Sequence, residues 1–122
     1  MNVKNDGAVI DAFIERVRFD GAGLVPAIVQ DVETRDVLMM AWMNRESIRA
    51  TMTERRTVFF SRSRNELWRK GETSGHVQSL KSISLDCDGD TLLLQVMQTG
   101  VACHNGTQTC FSGREFDGDG LE

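Results

Sequence analysis

Apolar positions change their period several times along this chain, and each change predicts an element. Ile10, Phe13, Ile14 and Val17 stand at i, i+3, i+4 and i+7. That is one helical face, so "VIDAFIERVRF" predicts a short amphipathic helix, ended by "DGAG". "LVPAIVQDV" and "VLMMAWM" read as two strands joined by the polar "ETRD", a hairpin. Pro26 falls near the start of the first, where a missing N–H is tolerated. Asn44 is placed to cap a second helix, "RESIRATMTER", with Ile48 and Met52 four apart on one face. "TVFFSRS", "LWRKG", "HVQSLKSISLD" and "TLLLQVM" read as further strands, with turns at "RNE" and at "DG". Leu92, Leu94 and Val96 share one face of the last. "QTGVACHNGTQTCFSG" is polar and glycine-rich and reads as loop. The order predicts an α+β fold, mainly antiparallel β with short helices, dominated by a β-meander. No repeat or linker interrupts it, so residues 1–122 are expected to form a single domain.

Composition narrows this modestly. A chain of 122 residues with 40% hydrophobic content supports a real but small core, which dimerisation would help. No apolar run reaches the roughly 18 residues of a membrane span. The N-terminus has no long apolar segment of the signal-peptide type, so a cytoplasmic protein is expected. The net charge of −4 disfavours general nucleic-acid binding. Yet Arg55, Arg56, Arg62, Arg64, Arg69 and Lys70 face only one acid, Glu66, within their stretch. A basic island in an acidic protein suits a small anionic ligand.

Three cysteines in a reducing compartment point toward metal or catalytic roles, the alternative being buried small hydrophobes. Cys103 and Cys110 are seven apart, with Cys87 sixteen before Cys103. This is not a paired C-x-x-C structural zinc site. Three thiolates would leave an open position, as in catalytic zinc. A structural site with His104 or His76 as fourth ligand stands as the alternative.

The stretch "DCDGD" places Cys87 among Asp86, Asp88 and Asp90. An EF-hand reading fails, because Thr91 stands where glycine is needed and Met97 where glutamate is needed. If the stretch is extended, the carboxylates share one face and the thiol points to the other. Convergent carboxylates suit a hard cation such as Mg²⁺; a solvated Asp-rich turn is the plainer reading. In "SRSRNELWRKGETSGH", Arg62 and Arg64 would face the same way on a strand, with forks that match phosphate oxygens. Two glycines could let backbone approach a phosphate. Trp68 reads as core, lid or a stacking partner for a purine, and the basic residues as either a phosphate site or a guarded strand edge.

Taken in order, "LVPAIVQD", "VLMMAWMN", "SRSRNELWRKGETSGH", "DCDGD" and "GVACHNGTQTCF" resemble the phosphoribosyl-AMP cyclohydrolase family of histidine biosynthesis, from about Leu24 to Phe111. "TRD" departs from an expected glycine-bearing turn, and Phe59–Phe60 stand where aromatic hydroxyls are usual. The resemblance implies an intertwined homodimer with the active site at the subunit interface. It implies zinc held by Cys87 of one subunit with Cys103 and Cys110 of the other, and magnesium at Asp86, Asp88 and Asp90. The implied substrate is 1-(5-phosphoribosyl)-AMP. Water activated on zinc would attack C6 and open the N1–C6 bond, giving the phosphoribosyl-formimino-aminoimidazole carboxamide ribotide. His104 is the candidate for proton transfer. Arg62, Arg64, Lys70, Trp68 and His76 are the candidate substrate contacts.

Three other readings fit less well. A zinc deaminase lacks its H-x-E and C-x-x-C signatures here. A zinc-stabilised nucleic-acid module conflicts with the acidic charge. A redox thiol is poorly served by Cys87 among acids.

Overall fold

The computed structural model describes residues 3–103, 105–116 and 118, with side chains from Asp6 onward. Helix α1 (Val3–Glu15) buries Ile10 and Ile14, and Val17 follows them into the core just past its end. The Asp20 carboxylate accepts the N–H groups of Ala22 and Leu24, which turns the chain into β1 (Val25–Asp31). Strand β2 (Val37–Met43) leads into helix α2 (Arg45–Glu54). Asn44 caps α2 as expected. Its side chain accepts the Ser47 N–H at 2.8 Å, and Ser47 Oγ accepts the Asn44 N–H at 2.9 Å. Two donors that a helix start leaves unpaired are thereby satisfied together. Thr51 then fastens α2 to the next strand, exchanging two hydrogen bonds with the Val58 backbone.

Strands β3 (Val58–Ser61), β4 (Glu66–Arg69), β5 (Gln78–Leu85) and β6 (Leu92–Gln98) complete one sheet of order β4-β3-β2-β1-β6-β5. The meander holds only from β1 to β4. The β5–β6 hairpin instead joins the other side of β1, with β6 parallel to it in the register Ile28↔Leu93. Burial explains the correction. Leu92, Leu94 and Val96 are fully buried, and that face belongs beside a central strand. The four-residue β4, carrying Glu66 and Arg69, suits an edge. The sheet also curls. An isolated bridge joins Arg56 to Ser79, and Thr57 N–H donates to the Gln78 carbonyl at 3.1 Å.

One sheet face packs Ala27, Val29, Met39, Leu92 and Leu94 into a core with Ile14 of α1 and Ile48 of α2. Each large side chain fully buried there contributes about 1.5–3 kcal/mol. The opposite face is apolar and open. Met40, Ile28 and Leu93 lie side by side across β2, β1 and β6, with Met40 47% and Ile28 36% exposed. Among the described residues no helix is long and apolar enough to cross a membrane.

Candidate active site

The site forms where the β4–β5 connection meets the cysteine-bearing loop that follows β6. Opposite the irregular pairing of Val29 and Gln30, β2 bulges at Leu38. The Leu38 carbonyl accepts the Cys110 N–H at 2.7 Å, so the bulge anchors the loop. Within the loop, Cys103 N–H donates to the Thr107 carbonyl and Gly106 N–H to the Cys103 carbonyl. This brings Cys103 and Cys110 close enough for each thiol to influence the other's ionisation. The pair is polarised. The Asn105 N–H and the Thr107 hydroxyl hold the Cys103 thiol below its usual pKa. Burial, and then Cys103 itself, push Cys110 up. Two neighbouring sulfurs, one with its pKa lowered by its surroundings, are a donor set that fits a soft cation such as zinc.

Cys87 is elsewhere. It is exposed in the turn between β5 and β6, where the Gly89 carbonyl accepts the Arg18 N–H beyond α1. Gln78 and Gln98 pair at one end of the hairpin and Leu85 and Leu92 at the other, seven residues along β5. That span is roughly 23 Å at strand rise. One chain therefore holds Cys87 and the Cys103–Cys110 pair at opposite ends of the hairpin. Among the described residues, no three His, Cys, Asp or Glu side chains group as a metal site.

The aspartates also differ from the extended arrangement. Asp86 N–H donates to the Thr91 carbonyl, Gly89 N–H to the Asp86 carbonyl, and Asp90 N–H to Asp86 Oδ1 at 3.1 Å. This turn breaks the alternation that would align all three carboxylates opposite Cys87. Asp86 and Asp90 are instead folded onto each other. Desolvation is the largest single influence on Asp86 and opposes its ionisation. Hydrogen bonds from Asp90, and from the Gly89 and Thr91 N–H groups, outweigh it and hold the carboxyl below its usual range.

A cavity of about 500 Å³ collects Arg64, Trp68, Lys70, His76 and Cys103. Trp68 is 38% exposed and packs its ring 5.5 Å from that of Phe59. Lys70 Nζ lies 5.5 Å over the Trp68 ring and donates to the Ala102 carbonyl at 2.6 Å, bracing the loop beside Cys103. Arg62 separates from Arg64. Both lie in the turn after β3, not on a strand, so alternation does not align them. The Arg62 guanidinium stacks 4.6 Å over Trp42 and lines other cavities. His104 lies outside the described residues.

His76 sits in a seat that only glycine can form. Gly71 and Gly100 have φ of 79° and 73°. A Cβ on Gly71 would stand 2.4 Å from the His76 carbonyl carbon, and one on Gly100 2.5 Å from His76 Cδ2. The close approach suggested for Gly71 is therefore made by His76 itself. Gly100 was missed in the sequence because its partner is 24 positions away; its one local signal is a glycine directly after a strand.

The phosphoribosyl-AMP cyclohydrolase family model matches residues 39–112, a span that includes most of β2, the cavity residues, the Asp86–Asp90 turn and both loop cysteines. The chain belongs to the phosphoribosyl-AMP cyclohydrolase family. It is 62% identical to the phosphoribosyl-AMP cyclohydrolase of Micrococcus luteus over 106 residues, 87% of this chain and 84% of the relative. To that of Chlorobaculum tepidum it is 57% identical over 111 residues, 91% of this chain and 81% of the relative. To that of Rhodospirillum centenum it is 58% identical over 111 residues, 91% and 84%. At this similarity the chain is an enzyme of the phosphoribosyl-AMP cyclohydrolase type.

Proposed function

We propose that this cyclohydrolase opens the purine ring of 1-(5-phosphoribosyl)-AMP in histidine biosynthesis, in the cavity between the β4–β5 connection and the cysteine loop. The observation that carries this is the convergence of Trp68, Lys70, His76, Arg64 and the polarised Cys103 on one cavity. Substitution at N1 makes the ring cationic and C6 electrophilic. Water adds its oxygen at C6, the N1–C6 bond breaks with a proton delivered to N1, and C6 becomes the carbonyl carbon of a carboxamide. The exposed Trp68 face offers a stacking surface for the purine. Arg64 offers a fork for a phosphate, and binding there orients the ring. His76 and His104 are the imidazoles assigned to hold and move protons at the water and at N1.

We assign zinc to Cys103 and Cys110 of one subunit with Cys87 of a second, and magnesium to the Asp86–Asp90 turn. Zinc bound there would supply a Lewis-acidic centre at the cavity wall, and magnesium would offset phosphate charge. The shared ligand set is supported by the hairpin, roughly 23 Å long at strand rise, whose turn carries Cys87 while the loop bearing the other thiols leaves β6 at its far end. A homodimer is supported by the open apolar face of Met40, Ile28 and Leu93.

Subunit mixing tests this reading. Cys87→Ala and Cys103→Ala should each abolish turnover and zinc binding. Unfolded and refolded together in equal amounts, they should regain about a quarter of wild-type activity, because random pairing makes half of the dimers heterodimers and each of these carries one intact site of two. If both variants dimerise and mixing restores nothing, the shared site is wrong.

A further inference from the structure

Behind the cavity runs a chain of side-chain amides that the reaction chemistry above does not use. Thr57 Oγ1 donates to Gln78 Oε1 at 2.9 Å, and Gln78 Nε2 donates to Gln98 Oε1 at 2.8 Å. Thr57 and Gln78 are fully buried. Gln98 Nε2 then donates to the Thr99 carbonyl at 2.8 Å, with the carbonyls of His76 and Val101 at 3.4 and 3.5 Å. Gln78 Nε2 also reaches Met39 Sδ at 3.4 Å, but from Thr57 through Gln78 to Gln98 the series runs toward the cysteine loop. Flipping the Gln98 amide would set its nitrogen against the Gln78 nitrogen and its oxygen against three carbonyls, so the direction is fixed by the partners.

We infer that Gln98 is a positioning residue for the reaction, its amide nitrogen holding the His76 backbone and the start of the cysteine loop in register with each other. Among the described residues no other side chain hydrogen-bonds to both segments. Gln98 is half-buried, at the last position of β6, where the rigid sheet gives way to the loop. Its anchor, Gln78, is only two residues from His76 on β5. A misplaced Gln98 amide would therefore shift both walls of the cavity at once, and misplacement of about 1 Å can cost on the order of a hundredfold in rate.

The inference rests on this cavity being the reaction site, and His76→Ala tests that separately: wild-type turnover in His76→Ala would overturn the site reading itself. For Gln98, the variant of choice is Gln98→Glu. It keeps the shape and the acceptor for Gln78 but points an oxygen at the three carbonyls. The chain has two histidines, so the His76 imidazole resonances can be followed by NMR. Gln98→Glu should lower kcat at least tenfold per folded molecule, change KM less than threefold, and shift the His76 resonances. Gln98→Met, which removes the amide without adding charge, carries the same test if the first variant fails to fold. Wild-type kcat in either folded variant, or reduced kcat with unmoved His76 resonances, would overturn the proposal.

Discussion

The glycine seat of His76 turns a backbone detail into a quantitative expectation. In Gly100→Ala the new Cβ meets His76 Cδ2 at 2.5 Å, roughly 1 Å inside ordinary contact. Gly71 packs closely against the His76 carbonyl, which limits how far the backbone can slide to relieve the clash. Two costs add. An alanine at φ near 73° is strained by about 1 kcal/mol. Overpacking against the ring adds about 1–3 kcal/mol unless the ring leaves its seat. Gly23→Ala is the control. Gly23 has φ of 78° with nothing within 4 Å of its Cβ position, so it carries the strain alone. Thermal unfolding should show Gly23→Ala lowered by about 3–5 °C. Gly100→Ala should fall further, or match it with the ring displaced. Turnover separates the two variants more sharply. Following ring opening by ultraviolet absorbance, Gly23→Ala should remain near wild type, whereas Gly100→Ala should lose about ten- to a hundredfold in kcat/KM. Equal turnover in the two variants would refute the claim that a seated His76 serves the reaction.

Three further expectations follow from separate parts of the chain. Arg64→Ala should raise KM several-fold more than Arg62→Ala, since only Arg64 lines the cavity while Arg62 stacks on Trp42; the reverse order in steady-state kinetics would move the phosphate contact. After chelation, zinc alone should restore less turnover than zinc with magnesium, and full recovery without magnesium would remove the Asp86–Asp90 turn from the required machinery. Asn44→Ala should cost about 1 kcal/mol in denaturant unfolding by removing the α2 capping box, with turnover per folded molecule unchanged.

Local chemistry placed α2 and the strands to within about two residues, whereas α1 runs from Val3 to Glu15, six residues earlier at its start and four at its end than its apolar stretch predicts. "VLMMAWM" is β2 as it stands, and Asn44 caps α2 because short-range hydrogen bonding decides both. What one stretch of chain cannot encode was missed. The parallel pairing of β6 with β1 joins segments about sixty residues apart, and only the demand to bury Leu92, Leu94 and Val96 hints at it. The strand alternation used for Arg62 and Arg64 failed because β3 ends at Ser61, one residue before the first arginine.

"DCDGD" shows where two sequence rules collide. The "DG" pair signals a turn, and period-2 alternation requires extended backbone; both cannot hold over the same five residues. Gly89, with φ of 74°, settles it for the turn. A Cβ there would stand 3.0 Å from the Arg16 carbonyl, so the turn is also held against the end of α1. The separation of Cys87 from the carboxylates therefore cannot come from opposite faces of a strand. It has to come from the turn's own geometry. That geometry leaves Cys87 exposed at the end of the hairpin away from Cys103 and Cys110, and pairs Asp86 with Asp90. Among the described residues no group of three or more ligand-type side chains gathers around Cys87, so a thiolate zinc set that includes it draws its other thiols from elsewhere. This places the burden of the zinc proposal on the second subunit, and it is why mixing two inactive cysteine variants is the decisive measurement.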